Sequence, residues 1–250
     1  MGTDFAGRVA LVTGAGRNIG RATALAFAQQ GANLVLCTRR SMEQLEETAH
    51  EAASCGVRVI TEQCDIGQEA EVQTVVEHAL REFGRVDILV NNATSRIQGG
   101  FLDITPEQWT RNVAVNLDGP YFACRWVLPS MVEQQWGRII NYSGISAYHG
   151  GNAAKAAVKL GIVGFTRSLA REFGRSNITV NAIAPSAIKG ERDPGMEREA
   201  DLRGEVDKQQ AIRRFGTPEE VAALVTFLAS DQAGYITGQC IPINGGGYFA

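Results

Sequence analysis

Two lysines spaced by one helical turn are the residues best placed to do chemistry in this chain. They are Lys155 and Lys159, in Asn152-Ala-Ala-Lys155-Ala-Ala-Val-Lys159-Leu-Gly-Ile-Val-Gly-Phe. Residues four apart on a helix share a face. Two ammonium groups held together in a partly dry cleft repel, so one is expected to have a depressed pKa. A lysine lowered towards ~7–8 serves as a general acid or base, or as an amine nucleophile towards a carbonyl. Three roles follow: proton donor to a reduced C=O or C=N, Schiff-base former, or anchor for a carboxylate or phosphate. The competing reading turns Lys155 out to solvent, where it does no chemistry. Just upstream lie Ser143, Ser146, Tyr148 and His149. Tyr148 is a rival acid, weighed against an ordinary loop or interface aromatic. His149 reads as a solvent-facing loop residue.

A second constellation suits a nucleotide. The apolar run Val9-Ala-Leu-Val12 enters Thr13-Gly14-Ala-Gly16-Arg17-Asn18-Ile19-Gly20, and an Ala-rich helical pattern follows. A glycine-rich turn between a buried strand and a helix presents backbone N–H groups and a helix dipole to a pyrophosphate. Asn18 tolerates positive φ better than most residues, so the turn survives it. The second strand ends in Cys37-Thr38-Arg39-Arg40 without a carboxylate. An acidic residue there would favour NAD. Guanidinium forks suit a 2′-phosphate, and Arg17 points to the same region. NADP(H) is therefore expected in preference to NAD(H). The alternative, that these arginines merely solvate a helix start, fits Arg40 better than Arg39.

These residues need a scaffold. Short apolar runs alternate with longer helical patterns along all 250 residues. Strands are expected at Val9–Val12, Leu34–Leu36, Val57–Ile60, Asp87–Val90, Arg138–Asn141, Ile178–Ile183 and Gln239–Ile243. Helices are expected over Arg21–Gln30, Met42 to about Ser54, Glu69–Phe83, about Glu107 to Gln134, about Asn152 to Phe173, and from Thr217-Pro-Glu-Glu to about Ser230. Strands apolar on both faces and joined by helices imply a parallel sheet covered on both sides. The fold class is thus α/β, a Rossmann-type doubly wound sheet in a single domain over residues 1–250. Ligands then sit beyond the carboxyl ends of the strands.

Composition narrows the function classes. A hydrophobic content of 44% supports a substantial core. A net charge of −3 gives no reason to expect nucleic acid or a membrane surface as partner. Five cysteines without a C-x-x-C pair or a His companion argue against a metal site or a disulfide framework. There is no apolar leader and no long apolar span, so a cytoplasmic protein is expected.

Taken in order, these motifs resemble the short-chain dehydrogenase/reductase family, nearest its beta-ketoacyl-carrier-protein reductase type. The resemblance covers essentially the whole chain. Cys64-Asp65-Ile66 is similar to the pair beside the adenine, and Asn91-Asn92-Ala93 to the family's Asn-Asn-Ala-Gly, with Thr94 for the glycine. It implies an NADP(H)-linked oxidoreductase acting on a small molecule, assembled as a homotetramer or dimer. It also implies cofactor contacts from Gly14, Arg17, Asn18, Ile19, Gly20, Arg39, Asp65, Ile66, Asn91, Ala93, Lys159, Pro185 and Ile188. Asn116 falls on the asparagine that organises the proton-relay water. From Lys159 to Asn181 the pattern matches without a gap, so Lys159 is the family lysine that holds the nicotinamide ribose. The family tyrosine's place is then held by Lys155 and the catalytic serine's place by Gly144, with Ser143 one residue early. Asn18 replaces a glycine of the turn, and Gly190 a threonine after strand six.

An enone or imine substrate would need less help from a Ser–Tyr pair than a ketone. Two further readings stay open: a silent nucleotide-binding partner in a mixed oligomer, and a lysine-dependent lyase or isomerase. Substrate determinants are expected in residues 94–104 and 186–210, the latter acting as a lid.

Overall fold

The computed structural model describes residues 5–191 and 210–249. Much of the expected 186–210 segment lies outside the described residues. Seven parallel strands form one sheet in the order β3-β2-β1-β4-β5-β6-β7. They are β1 Val9–Thr13, β2 Asn33–Thr38, β3 Val59–Gln63, β4 Ile88–Asn91, β5 Gly137–Tyr142, β6 Ile178–Pro185 and β7 Cys240–Ile243. The central strands are buried along their length because helices cover both faces. Helices α1 (Asn18–Gln29), α2 (Met42–Ala53) and α8 (Pro218–Ala229) cover one face, burying Ala24, Phe27, Leu45, Val221 and Val225 against it. Helices α3 (Glu69–Phe83), α5 (Gly119–Glu133) and α7 (Ala153–Phe173) cover the other, burying Val72, Ala123, Val127 and Leu169. The connections diverge between β1 and β4, and this opens a crevice beyond their carboxyl ends.

Four expectations need correction. Helix α1 begins at Asn18, not Arg21, because a polar glycine turn leaves no apolar period to mark its first residues. The third strand is Val59–Gln63, shifted towards the cleft from the expected Val57–Ile60. The expected helix from Glu107 to Gln134 is broken. It consists of α4 (Pro106–Val113), a π-turn over Ala114–Asp118, and α5. A short helix α6 (Ser146–His149) went unmarked, since four residues carry no period. The expected helix start at Thr217 held, and a second cap, not marked from the sequence, lies at Thr105. Thr105 and Thr217 each close a capping box with Gln108 and Glu220, starting α4 and α8.

Candidate active site

The glycine-rich turn is shaped by close approach. A Cβ on Gly20 would lie 2.1 Å from the Gly14 carbonyl oxygen and 2.6 Å from Asn92 Nδ2. Only glycine fits there. Gly14 and Asn18 take φ of +67° and +50°. Behind the turn, Asn92 Nδ2 donates to the carbonyls of Thr13 (2.8 Å) and Gly14 (3.0 Å), and Thr13 Oγ1 accepts from the amides of Asn92 and Ala93. The turn and the Asn91-Asn92-Ala93 segment are therefore one unit. Helix α1 has Arg17 at its N-cap without a side-chain cap, and no acidic residue in its first turn. Its leading N–H groups have no intrahelical acceptor, so this end fits an anion such as a pyrophosphate. Ile19 and Gly20 lie in that first turn.

At the ends of β2 and β3 the arginines meet one carboxylate. Asp65 accepts from Arg111 through both oxygens, at 2.8 and 2.9 Å, and from the Gly67 amide at 3.0 Å. Arg39 Nη1 stands 3.7 Å from Asp65 Oδ2. Burial opposes ionisation of Asp65, but these hydrogen bonds and charges win and hold its pKa below the usual value. The pKa of Arg39 is itself lowered, by burial and then by the charges of Arg111 and Arg40. A second carboxylate, Glu71, accepts from the Asp65 amide at 2.8 Å. Ile66, beside Asp65, is buried so closely that a Cβ on Gly119 would meet it at 2.7 Å. Asn91 is also buried, and its amide donates to Asn141 Oδ1 across β4 and β5 at 2.9 Å. Its Nδ2 braces the sheet, while its buried Oδ1 has no hydrogen-bond partner.

The lysine pair lies on α7, whose N-terminus is capped by Asn152 Oδ1 accepting from the Lys155 amide at 3.0 Å. Lys159 donates from Nζ to the Tyr142 carbonyl oxygen at 3.0 Å. The residue as a whole is half-buried, but its ammonium is deeply so, and burial lowers its pKa to about 8. The charge of Arg96 adds to the effect. A depressed lysine was expected from repulsion within the pair. The depressed one is Lys159, and its neighbouring cation is Arg96, in a segment that carried no readable motif. Lys155 is half-buried one turn earlier.

The other candidate acids are engaged elsewhere. Ser143 donates from Oγ to the Lys159 carbonyl oxygen at 2.8 Å, tying β5 to α7. Tyr148 donates to the Cys240 carbonyl oxygen at 3.3 Å, and its ring stacks on Tyr248 with centroids 5.4 Å apart. Burial first, then the Cys240 side chain, push the pKa of Tyr148 upward, so its proton is held more tightly. His149 meets the edge of Tyr248. Gly144, expected at the serine's place, has room for a side chain. A Cβ on Gly144 would find Lys159 Cγ at 3.7 Å and Ser146 Oγ at 4.0 Å, ordinary contacts. Ser146, rather than Ser143, brings a hydroxyl there.

Asn116 sits in the π-turn. Its Oδ1 accepts from Thr94 Oγ1 at 2.5 Å, while Nδ2 donates to Ser95 O, Asn112 O and Asn112 Oδ1, each at 3.0 Å. It therefore anchors the segment after β4 to α4. Pro185 ends β6, and Ile188 borders a cavity of about 140 Å³ lined also by Ser186, Arg214 and Gly245. Of the expected site residues, only Ile188 borders that cavity. Among the described residues no helix is long and apolar enough to cross a membrane.

Known proteins agree with this geometry. The family model described as "Enoyl-(Acyl carrier protein) reductase" matches residues 14–247. The 3-oxoacyl-(acyl-carrier-protein) reductase FabG of Thermotoga maritima is 38% identical over 245 residues, covering 96% of this chain and 97% of that protein. The hydroxy(phenyl)methyl-succinyl-CoA dehydrogenase subunit BbsD of Thauera aromatica is 36% identical, covering 96% of each. Among solved structures, levodione reductase superposes with a TM-score of 0.90 at 35% identity, covering 97% of this chain and 98% of its own. A variant of a Serratia marcescens short-chain dehydrogenase/reductase also gives 0.90, at 34% identity, covering 98% and 99%. The chain belongs to the short-chain dehydrogenase/reductase family and is a FabG-like oxidoreductase by fold and sequence.

Proposed function

We propose that this chain is a single-domain NADP(H)-dependent reductase of a small-molecule carbonyl, enone or imine, with Lys155 in the proton donor's place. The observation that carries the cofactor reading is the pairing of an α1 N-terminus without a side-chain cap with Arg39 and Arg111 on Asp65 and Arg40 beside Arg39. The leading amides of α1, Asn18 to Gly20, would hold the pyrophosphate and Arg39 the 2′-phosphate, helped by Arg17. Asp65, Ile66 and Ala93 would flank the adenosine, Lys159 the nicotinamide ribose, and Pro185 and Ile188 the nicotinamide. The chemistry such a cofactor supplies is hydride transfer.

The chain supplies position and a proton. Lys159, tethered to the Tyr142 carbonyl, fixes a cation beside the reacting centre. Lys155 gives a proton from Nζ to the substrate oxygen, carbon or nitrogen that hydride addition leaves basic, and regains one from solvent. Ser143 and Tyr148 act through position only, holding β5 to α7 and α6 to β7. A cytoplasmic homotetramer or dimer is part of the proposal. Titration calorimetry tests the cofactor claim: NADPH should bind at least about tenfold more tightly than NADH, equivalent to ~1.4 kcal/mol. Absence of binding by both defeats it. Turnover on a carbonyl, enone and imine panel should collapse in Lys155→Ala. Because Gly144 has room for a side chain, Gly144→Ser with Lys155→Tyr should yield ordinary ketone reduction.

A second reading makes the chain the silent member of a mixed oligomer. It is favoured by the hydroxyls of Ser143 and Tyr148 being engaged, and by one relative's name describing a subunit. Tight NADPH binding with no turnover across the panel would select it.

A further inference from the structure

Two departures from the family pattern, far apart in sequence, meet in space. Asn18 stands where the turn usually has glycine, and Gly190 where the loop after β6 usually has threonine. Asn18 Oδ1 accepts from the Glu191 amide at 2.7 Å, and Asn18 Nδ2 donates to the Glu191 carbonyl oxygen at 3.0 Å. One side chain thus pairs with both main-chain groups of a residue 173 positions away, as a neighbouring strand would. A Cβ on Gly190 would lie 2.6 Å from Asn18 Oδ1 and 2.9 Å from Asn18 Cγ. An amide at 18 and a side chain at 190 cannot both occupy this spot.

The loop is held from its other side too. Lys189 N donates to Gly216 O at 2.8 Å, and Gly216 N to Ala187 O at 2.9 Å. Residues 187–191 are therefore suspended between Gly216 and the glycine-rich turn. Asn18 is the first residue of α1, beside the amides open to an anion.

We propose that Asn18 is a positioning residue that latches the backbone of Glu191 to the turn across the dinucleotide cleft, and that Asn18 and Gly190 are a coupled exchange. This rests on the nucleotide-binding reading above, and it makes the pair strongly non-additive. Asn18→Gly removes the latch. Gly190→Thr pushes the Asn18 amide out of place, since the atom it meets is the end of a side chain. Asn18→Gly with Gly190→Thr restores a compatible pair.

The test measures NADPH and NADH dissociation constants for wild type, both single variants and the double variant. It also follows hydrogen exchange at the Glu191 amide and thermal midpoints without cofactor. Each single variant should weaken dinucleotide binding about tenfold, and the double variant should return to within about threefold of wild type. The Glu191 amide should be protected in wild type and exchange faster in Asn18→Gly, with the cofactor-free midpoint within about 2 °C of wild type. Singles that bind normally, or losses that add in the double variant, overturn the proposal. So does a midpoint that falls in step with affinity, which would mark a purely structural role. If wild type binds neither dinucleotide, the nucleotide reading fails and the positioning role with it. If wild type binds and the Glu191 amide exchanges equally with and without the Asn18 side chain, the latch alone fails.

Discussion

The two ends of the sheet both gather cations, and treat them in opposite ways. At the amino ends of the strands, Arg8 and Arg138 lie 3.7 and 4.2 Å from the centre of the Trp136 ring. Asp87, with a fully buried side chain, takes Arg8 at 3.2 Å, Arg85 through its Nε at 2.8 Å, and the Val9 amide at 2.9 Å. Asp231 takes Trp136 Nε1 at 3.0 Å and Arg138 at 3.4 Å. Every one of these guanidiniums has an aromatic face or a carboxylate within the chain, though Arg138 Nε is buried without a hydrogen-bond partner. At the carboxyl ends, Lys159 has a neutral carbonyl as its partner and Arg96 as a neighbouring charge. Among the described residues no carboxylate forms an ion pair with Lys155 or Lys159. Charge at the first end holds the fold, whereas at the second Arg39 and Arg111 share Asp65 but the Lys159 ammonium is buried against a neutral carbonyl, at a cost to the fold.

The sharpest break of this contrast is Asp87→Ala. It strands Arg8 and Arg85 and should lower stability by about 3 kcal/mol in urea unfolding, with cofactor affinity of the folded protein unchanged. A loss under ~1 kcal/mol would contradict the account. Lys159→Met should shift stability the other way, upward by about 1 kcal/mol, because it removes a desolvated cation. The same variant should weaken dinucleotide binding about tenfold or more by calorimetry.

Titration sharpens the point further. The pKa of Lys159 is about 8 when folded against an ordinary 10.5, so between these values the unfolded chain binds more protons. Stability should therefore gain from this group as pH rises from 8 to 10.5, while cofactor affinity falls as pH passes 8. Parallel movement of the two would defeat the assignment. The smallest effect is Trp136→Leu, which removes the ring between two guanidiniums and should cost about 1 kcal/mol in thermal or urea unfolding.

The strands, their parallel pairing and the glycine-rich turn were legible because each leaves a local mark: apolar runs, capping boxes, glycines at fixed offsets. The assignment of Lys155 and Gly144 to the tyrosine's and serine's places rests on register alone. The amino-end network was not, since Arg8, Asp87, Trp136 and Asp231 come from four separate connections and no local pattern joins them. Ser143 and Tyr148 looked available as hydroxyls. Only the packing of β5 on α7 and of α6 on β7 shows what they bond. The clasp from Asn18 to Glu191 was equally hidden, its two halves each looking like an isolated departure.

The π-turn at Ala114–Asp118 has a consequence for how this chain can change over time. One residue more than a regular helix needs rotates everything after it by about 100° relative to what came before. That rotation lets one continuous stretch serve two clients: Arg111 faces Asp65 at the cleft, while Ala123 and Val127 face the sheet. Point substitutions here touch single contacts. Loss of one residue would instead turn either the cleft half or the core half away from its target, so the segment is far less free to vary in length than in composition.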